Sequence, residues 1–307
     1  MIQPILLYNA EIWGAFIWPK NTRRAISHSF TNIKHKFETL HTKLCKNALG
    51  VHKKSSDIMV MAELGRYPLM SNIIKHIYTY WQHILHARDN LLHKTLEYLI
   101  LSDRLGHVNY YSRIKALFFM LNQSHLIYQC DHKQIKTYSN TIKNAYNKLY
   151  NEHFFKTLEE KANRENSGGR YELYHKVKKN YTYENYLNLN NNKNKRNITN
   201  IRISTHNLPI EKLRKQNIPR KDRICTLCNT SEIGSEEHII IHCKNNEIIK
   251  LRETLHNKLK KLYTQWEILP KKEQFIYLIT ASDPDSSHLF SIFLDKVYKL
   301  FKRQDKK

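Results

Sequence analysis

Apolar residues recur at intervals of four and three along the first part of the chain. Ile26, Phe30, Ile33, Phe37, Leu40 and Leu44 lay one stripe along a helix face. Core packing accounts for such a stripe, and Cys45 beside it reads as a small buried hydrophobe. Gly50 is placed to end this helix, and Ser56 or Asp57 to cap the next. Gly65 and Pro68 break that second helix, and residues 71–101 predict a long third one carrying Ile73, Ile74, Ile77, Tyr80, Trp81, Ile84 and Leu85. Two more helical stretches fall near 110–128 and 135–162, the latter with Ile142, Ala145, Tyr146, Leu149 and Tyr150 on one face. Residues 1–19 differ: Ile5, Leu6, Leu7, Tyr8, Ile12, Trp13 and Phe16 read as a strand or hairpin, an apolar piece expected to pack against something upstream. Leu251, Leu255, Leu259 and Leu262 form a later stripe, and Leu289, Phe290, Phe293, Val297 and Leu300 a last one before a basic tail. The pattern predicts a mainly α protein.

Between these helical regions the periodicity fails. Gly168-Gly169 marks a linker in 163–169. In 171–200, Tyr171, Tyr174, Tyr181, Tyr183 and Tyr186 alternate with Lys176, Lys178 and Lys179. A flexible basic linker over 163–200 is the plain reading; aromatics stacked on bases, worth about 1–3 kcal/mol per base, are the functional one.

Charge sharpens the picture. The 307 residues carry 51 Lys+Arg against 27 Asp+Glu, a formal charge of +24. An AT-rich coding sequence accounts for abundant Lys and Asn, but not for their clustering. From Lys176 to Arg223 thirteen Lys/Arg face three acids, Glu184, Glu211 and Asp222. Such a bias predicts attraction to a polyanion, most economically nucleic acid, with affinity that falls as salt rises. Lys176, Lys178, Lys179, Arg202, Lys212, Arg214, Lys215, Arg220, Lys221 and Arg223 are the expected phosphate contacts.

Directly after this run come Cys225-Thr226-Leu227-Cys228 and His238-Ile239-Ile240-Ile241-His242-Cys243. Cys-x2-Cys puts two thiolates on one tight turn, close enough to share a tetrahedral zinc at about 2.3 Å per bond. His238 supplies a third ligand. In a regular helix His242 would share its face at i, i+4; if the helix breaks, Cys243 is reachable and a zinc knuckle results. Cys243 is the expected fourth ligand, with His242 as alternate. Four protein ligands leave no open position for a catalytic water, so one structural Zn2+ is expected. Ligand-like cysteine spacing argues against a secreted disulfide framework, no cationic n-region precedes an apolar core as a signal peptide requires, and residues 2–18, interrupted by Asn9 and Glu11 and ended by Pro19, are too short and polar for a membrane span. A nuclear or cytoplasmic protein with no membrane partner is expected.

Four segments, in order along essentially the whole chain, give a resemblance. Pro4-Ile5-Leu6-Leu7-Tyr8 with Glu11-Ile12-Trp13-Gly14 looks like the strand and turn leaving a polymerase palm. Leu44-Cys45-Lys46 with Leu49-Gly50-Val51, then Glu63-Leu64-Gly65-Arg66-Tyr67-Pro68-Leu69, is similar to a thumb-side helical connector. Arg202-Ile203-Ser204, His206, Leu208-Pro209-Ile210-Glu211 and Ile218-Pro219-Arg220 lead into the zinc pattern. The chain thus resembles the C-terminal, post-palm region of LINE-type non-LTR retrotransposon reverse transcriptases. That resemblance implies a palm remnant (1–19), a thumb/connector-like helical domain (20–162), the basic linker (163–200), a zinc-knuckle nucleic-acid-binding module (201–265), and C-terminal helices with a basic tail (266–307). It also implies RNA or DNA as partner, with any polymerase domain supplied by another chain.

The departures define the expected activity. The nine aspartates never occur side by side, so the family's metal-binding aspartate pair is missing and nucleotidyl transfer has no site. Asn9 stands where the resemblance expects glycine, and Lys212-Leu213-Arg214 replaces a Gly-Arg-Tyr-like stretch. A nuclease after the knuckle would need an acid, one spacer and lysine, whereas Asp295 is followed directly by Lys296, leaving Pro284-Asp285 without a partner. No enzymatic activity is expected. The expectation is a nucleic-acid-binding fragment. An intracellular zinc-dependent protein-interaction module, or a truncated element without function, is the alternative.

Overall fold

The computed structural model describes residues 3–17, 35–129, 131–164 and 170–304. Ile26, Phe30, Ile33, Cys130, Gly168-Gly169 and the last three residues of the tail lie outside them. The described chain is mainly helical, and its only β pairing is two isolated bridges, Leu64 with Tyr183 and Ile224 with Ile233. After two short N-terminal helices, Gln3–Leu6 and Ala10–Trp13, come α1 (Lys36–Leu49), α2 (Asp57–Glu63), α3 (Met70–His86), α4 (Asn90–Arg104), α5 (Tyr110–Met120) and α6 (Ile135–Ala162). Then follow α7 (Arg170–Val177), α8 (Asn192–Arg202), α9 (Pro209–Arg214), α10 (Asn246–Leu262), α11 (Lys271–Thr280) and α12 (Pro284–Gln304).

These elements fall into two compact units. One comprises Met1–His41 and Tyr67–Lys156, the other Thr42–Arg66 and Thr157–Lys307. The division corrects the expected domains: residues 42–66 belong with the C-terminal unit, not with the helical stretch that follows them.

In the first unit α3 is the central helix, with Ile73, Ile74, Ile77, Tyr78 and Trp81 fully buried. Trp81 Nε1 donates to the Ile127 carbonyl at 2.8 Å. The expected strand at the N-terminus is helical instead. Gly14 lets it lie against α3, since a Cβ there would sit 2.4 Å from Ile73 Cγ2. The single long helix expected over 71–101 is two. Ala87 leaves helical geometry, and the Asp89 carboxylate caps the restart by accepting from Leu91 N at 2.7 Å. In α1 the buried face is also turned. Leu40 is exposed, while Glu38 points inward and its carboxylate accepts from Met70 N, the first residue of α3, at 3.0 Å. Further along α1, in the part that belongs to the second unit, Cys45 is buried as expected.

In the second unit Gly50 ends α1 with φ +63°, Val51 N reaching the Lys46 carbonyl across the turn. The supposed linker over 163–200 is largely ordered core. Leu173, Tyr174 and Val177 of α7, then Tyr181, Tyr186 and Leu187, and Ile198 and Ile201 of α8, are all buried. Tyr, Asn and Lys conceal the periodicity because the tyrosines bury their rings and direct their hydroxyls to backbone and acid partners: Tyr174 to the Met59 carbonyl, Tyr181 to the Arg66 carbonyl, Tyr186 to Glu63. The last apolar stripe is α12, with Phe290, Phe293, Leu294, Val297 and Leu300 inside.

Candidate metal centre and the basic residues around it

A short β-like clasp builds the candidate metal centre. Cys225 N donates to the Glu232 carbonyl and Gly234 N to the Arg223 carbonyl, both at 2.8 Å. This closes residues 223–234 into a loop that carries Cys225 and Cys228 on its turn. Gly234 is required by close approach: a Cβ would lie 2.7 Å from Pro209 Cβ and 3.1 Å from Cys225 Cα. The other two ligand residues come from a π-helical turn, His238–His242, in which Cys243 N donates to the His238 carbonyl at 2.7 Å. In an α-helix, at 3.6 residues per turn, position 243 would stand about 140° around the axis from 238. The wider i→i+5 turn brings Cys243 to the same side as His238.

Cys225 Sγ, Cys228 Sγ, a His238 ring nitrogen and Cys243 Sγ all lie within 4.8 Å of one another, and all four residues are buried. Cys225 Sγ and Cys243 Sγ are 3.9 Å apart, and Cys228 Sγ is 3.3 Å from His238 Nε2. A tetrahedron with 2.3 Å metal–sulfur and 2.0–2.1 Å metal–nitrogen bonds has edges of about 3.8 Å between sulfurs and about 3.6 Å from sulfur to nitrogen. The donor set therefore fits a tetrahedral metal ion. His242 is outside it, exposed and 3.9 Å from Glu237 Oε1.

Surrounding groups orient these donors. His238 Nδ1 contacts Glu232 Oε2 at 2.6 Å, which directs Nε2 at the sulfurs in the carboxylate–histidine arrangement of metal sites. Thr230 Oγ1 is 3.0 Å from Cys228 Sγ. Arg252 donates to the Ile240 and Cys243 carbonyls at 2.9 Å each, fixing the end of the π turn. Hydrogen bonding from Cys243 holds the Cys225 thiol down at about 3, while the contact with Cys225 pushes Cys243 up. Hydrogen bonding to Cys225 raises His238 to about 9. A divalent ion bound by these donors would displace their thiol protons.

The ten expected phosphate contacts separate. Lys178 and Arg202 are buried and are not surface cations. Arg202 donates to Glu63 through Nε at 2.9 Å and Nη2 at 3.1 Å, to Glu184 at 3.0 Å, and to the Ile279 and Thr280 carbonyls. Lys178 Nζ pairs with Glu184. Burial pushes Glu63 up, but Arg202 beside it wins and holds the carboxyl below its usual range. Arg223 is also buried, donating to the Ile218 and Ile210 carbonyls. Arg214 binds Glu211; Lys176 and Arg220 both bind Glu172. Lys179, Lys215 and Lys221 are exposed, and Lys212 is half-buried. One cation the charge count omitted, Arg170, also belongs here. It lies beside Arg214 and Lys215, and its position after a glycine pair was its only sequence signal.

No family model, curated protein or solved structure matches the chain. Among the described residues, no helix is long and apolar enough to cross a membrane.

Proposed function

We propose that Cys225, Cys228, His238 and Cys243 hold one structural zinc ion, and that the knuckle so fixed helps a basic surface bind nucleic acid through its phosphates. The observation that carries this reading is the convergence of three sulfurs and one nitrogen at tetrahedral spacing, in a chain of net charge +24. Thiolate-rich tetrahedral sites select zinc or iron–sulfur clusters, and a set with one imidazole favours zinc. Four protein donors make it a folding element with no catalytic position. Nuclear or cytoplasmic surroundings keep such thiols reduced. The resemblance to the post-palm region of non-LTR reverse transcriptases favours RNA or DNA as partner, with a polymerase domain supplied by another chain. Neither catalysis nor membrane association is part of this reading.

The test is metal content of the purified protein, wild type beside Cys225→Ser, followed by oligonucleotide binding at rising salt. One equivalent of zinc in the wild type, lost in the variant, is expected, with log affinity falling by about 0.7 per phosphate for each unit of log salt on single strands. A metal-free wild type removes the zinc, and affinity indifferent to salt removes the phosphates. A protein-binding module is the second reading, favoured by Leu91, Tyr98, Leu101 and Leu105, all exposed on and just after α4 in the first unit. Docking on those residues would persist at high salt.

A further inference from the structure

We propose that Arg170, Arg214 and Lys215 form a seat for one phosphate group of a nucleic-acid backbone, at the start of α7 and the end of α9. The inference rests on the nucleic-acid reading above and gives it a place. Arg170 Nε is buried and has no hydrogen-bond partner among the described residues. A buried guanidinium N–H without an acceptor forfeits a charge-assisted hydrogen bond, which a ligand oxygen can restore. Among the described residues the nearby carboxylate is already engaged. Glu211 is taken by Arg214, whose Nε lies 3.0 and 2.9 Å from its two oxygens and whose Nη2 lies 2.5 Å from Oε2. Lys215 Nζ reaches only the neutral Asn207 Oδ1, at 3.2 Å.

Three cations thus stand around one carboxylate, Glu211, leaving two positive charges uncompensated. Burial lowers both Arg170 and Lys215 from their ordinary values; at Arg170 repulsion from Arg214 comes next, whereas at Lys215 attraction to Glu211 opposes the repulsion from Arg214 and Arg170. An anion entering here relieves the repulsion and gives Arg170 Nε its acceptor. A phosphodiester suits the seat: it carries one charge and presents two unesterified oxygens to a guanidinium edge. Inorganic phosphate shares that chemistry.

The experiment is salt-dependent anisotropy of the full, metal-loaded chain on a single-stranded oligonucleotide, comparing wild type with Arg170→Gln, Arg170→Lys and, as a distant charge control, Lys258→Gln, with melting curves to establish folding. Arg170→Gln is expected to weaken binding about tenfold whatever the sequence and to reduce the salt slope by about one contact, while Arg170→Lys keeps the slope. A wild-type slope in Arg170→Gln, or an equal loss in Lys258→Gln, overturns the seat and leaves the nucleic-acid reading standing. If the wild type binds no oligonucleotide at low salt, that reading fails; stabilisation by inorganic phosphate, lost in Arg170→Gln, would then make the seat one for a free anion and overturn the assignment to a backbone.

Discussion

The second unit buries two polar clusters that handle charge in opposite ways. Around Glu63, two carboxylates and two cations, Glu63, Glu184, Lys178 and Arg202, cancel, and Tyr186 and backbone carbonyls occupy the remaining donors and acceptors. Around Cys225, three sulfurs and an imidazole converge, and hydrogen bonding within the set holds Cys225 down and His238 up. The first cluster is complete on its own residues. The second would be completed by the metal ion proposed for it. An interior cluster whose charges close is scaffold, and one whose charges do not close marks where the protein takes a ligand. By that criterion the proposed Arg170 group, with two uncompensated positive charges, belongs with the cysteines and not with Glu63.

Breaking the closed cluster should have the largest effect on stability. Arg202→Met leaves Glu63 as an uncompensated buried charge, a loss of about 3–5 kcal/mol, read in chemical denaturation. Combining it with Glu63→Leu should recover much of that loss, because an apolar pair of similar volume costs far less than a half-removed ion pair. If the double variant is no better than the single one, the two residues are not energetically coupled.

Opening the thiol cluster from its outer layer should reduce metal affinity. Glu232→Gln loosens the carboxylate that directs His238, and a weakening of about 10–100-fold is expected in competition with a chromophoric chelator. His242→Asn should leave that affinity unchanged; a comparable drop would show that the π turn does not persist when metal binds.

Gly234→Ala tests the clasp that positions Cys225. The new methyl must displace Pro209, and overpacking of this kind costs about 1–3 kcal/mol, seen as a lowered melting temperature. A neutral result would mean that the loop yields.

The smallest effect concerns acid. Hydrogen bonding from Lys176 holds Glu172 below its usual range despite partial burial, with Arg220 adding to it. A carboxyl depressed in the folded state contributes stability above its unfolded pKa and loses it as pH falls through the folded value. Glu172→Gln should therefore flatten the acid limb of the stability–pH curve slightly below about pH 4.5 and leave neutral pH nearly unchanged. An unaltered acid limb would show that the pairs with Lys176 and Arg220 do not survive in solution.

Much of the helical architecture was legible because long apolar stripes report a buried face directly: α6 and α12 lie where Ile142, Tyr146, Phe293 and Val297 indicate. The ligand set was legible because few other roles need cysteines at that spacing. What sequence left open was Cys243 against His242, since the choice depends on a π turn whose only trace is its own hydrogen bond. The basic run misled in a different way. Counting charges cannot distinguish a free cation from a paired one, and the acid that neutralises Arg202 lies 139 residues earlier in the chain. The linker reading failed for the same reason. Its tyrosines find their partners in α2 and just after it, too far away for any local period to show.

That separation also orders events in time. Helix α2 leaves the ribosome with Met59, Val60, Met61 and Ala62 uncovered and the Glu63 carboxylate unmatched. At roughly 5–20 residues per second, Arg202 arrives on the order of ten seconds later. Throughout that interval the segment is a sticky, charged stub awaiting its complement, and the chain from Tyr67 to Lys156 is made, and free to fold, in the gap.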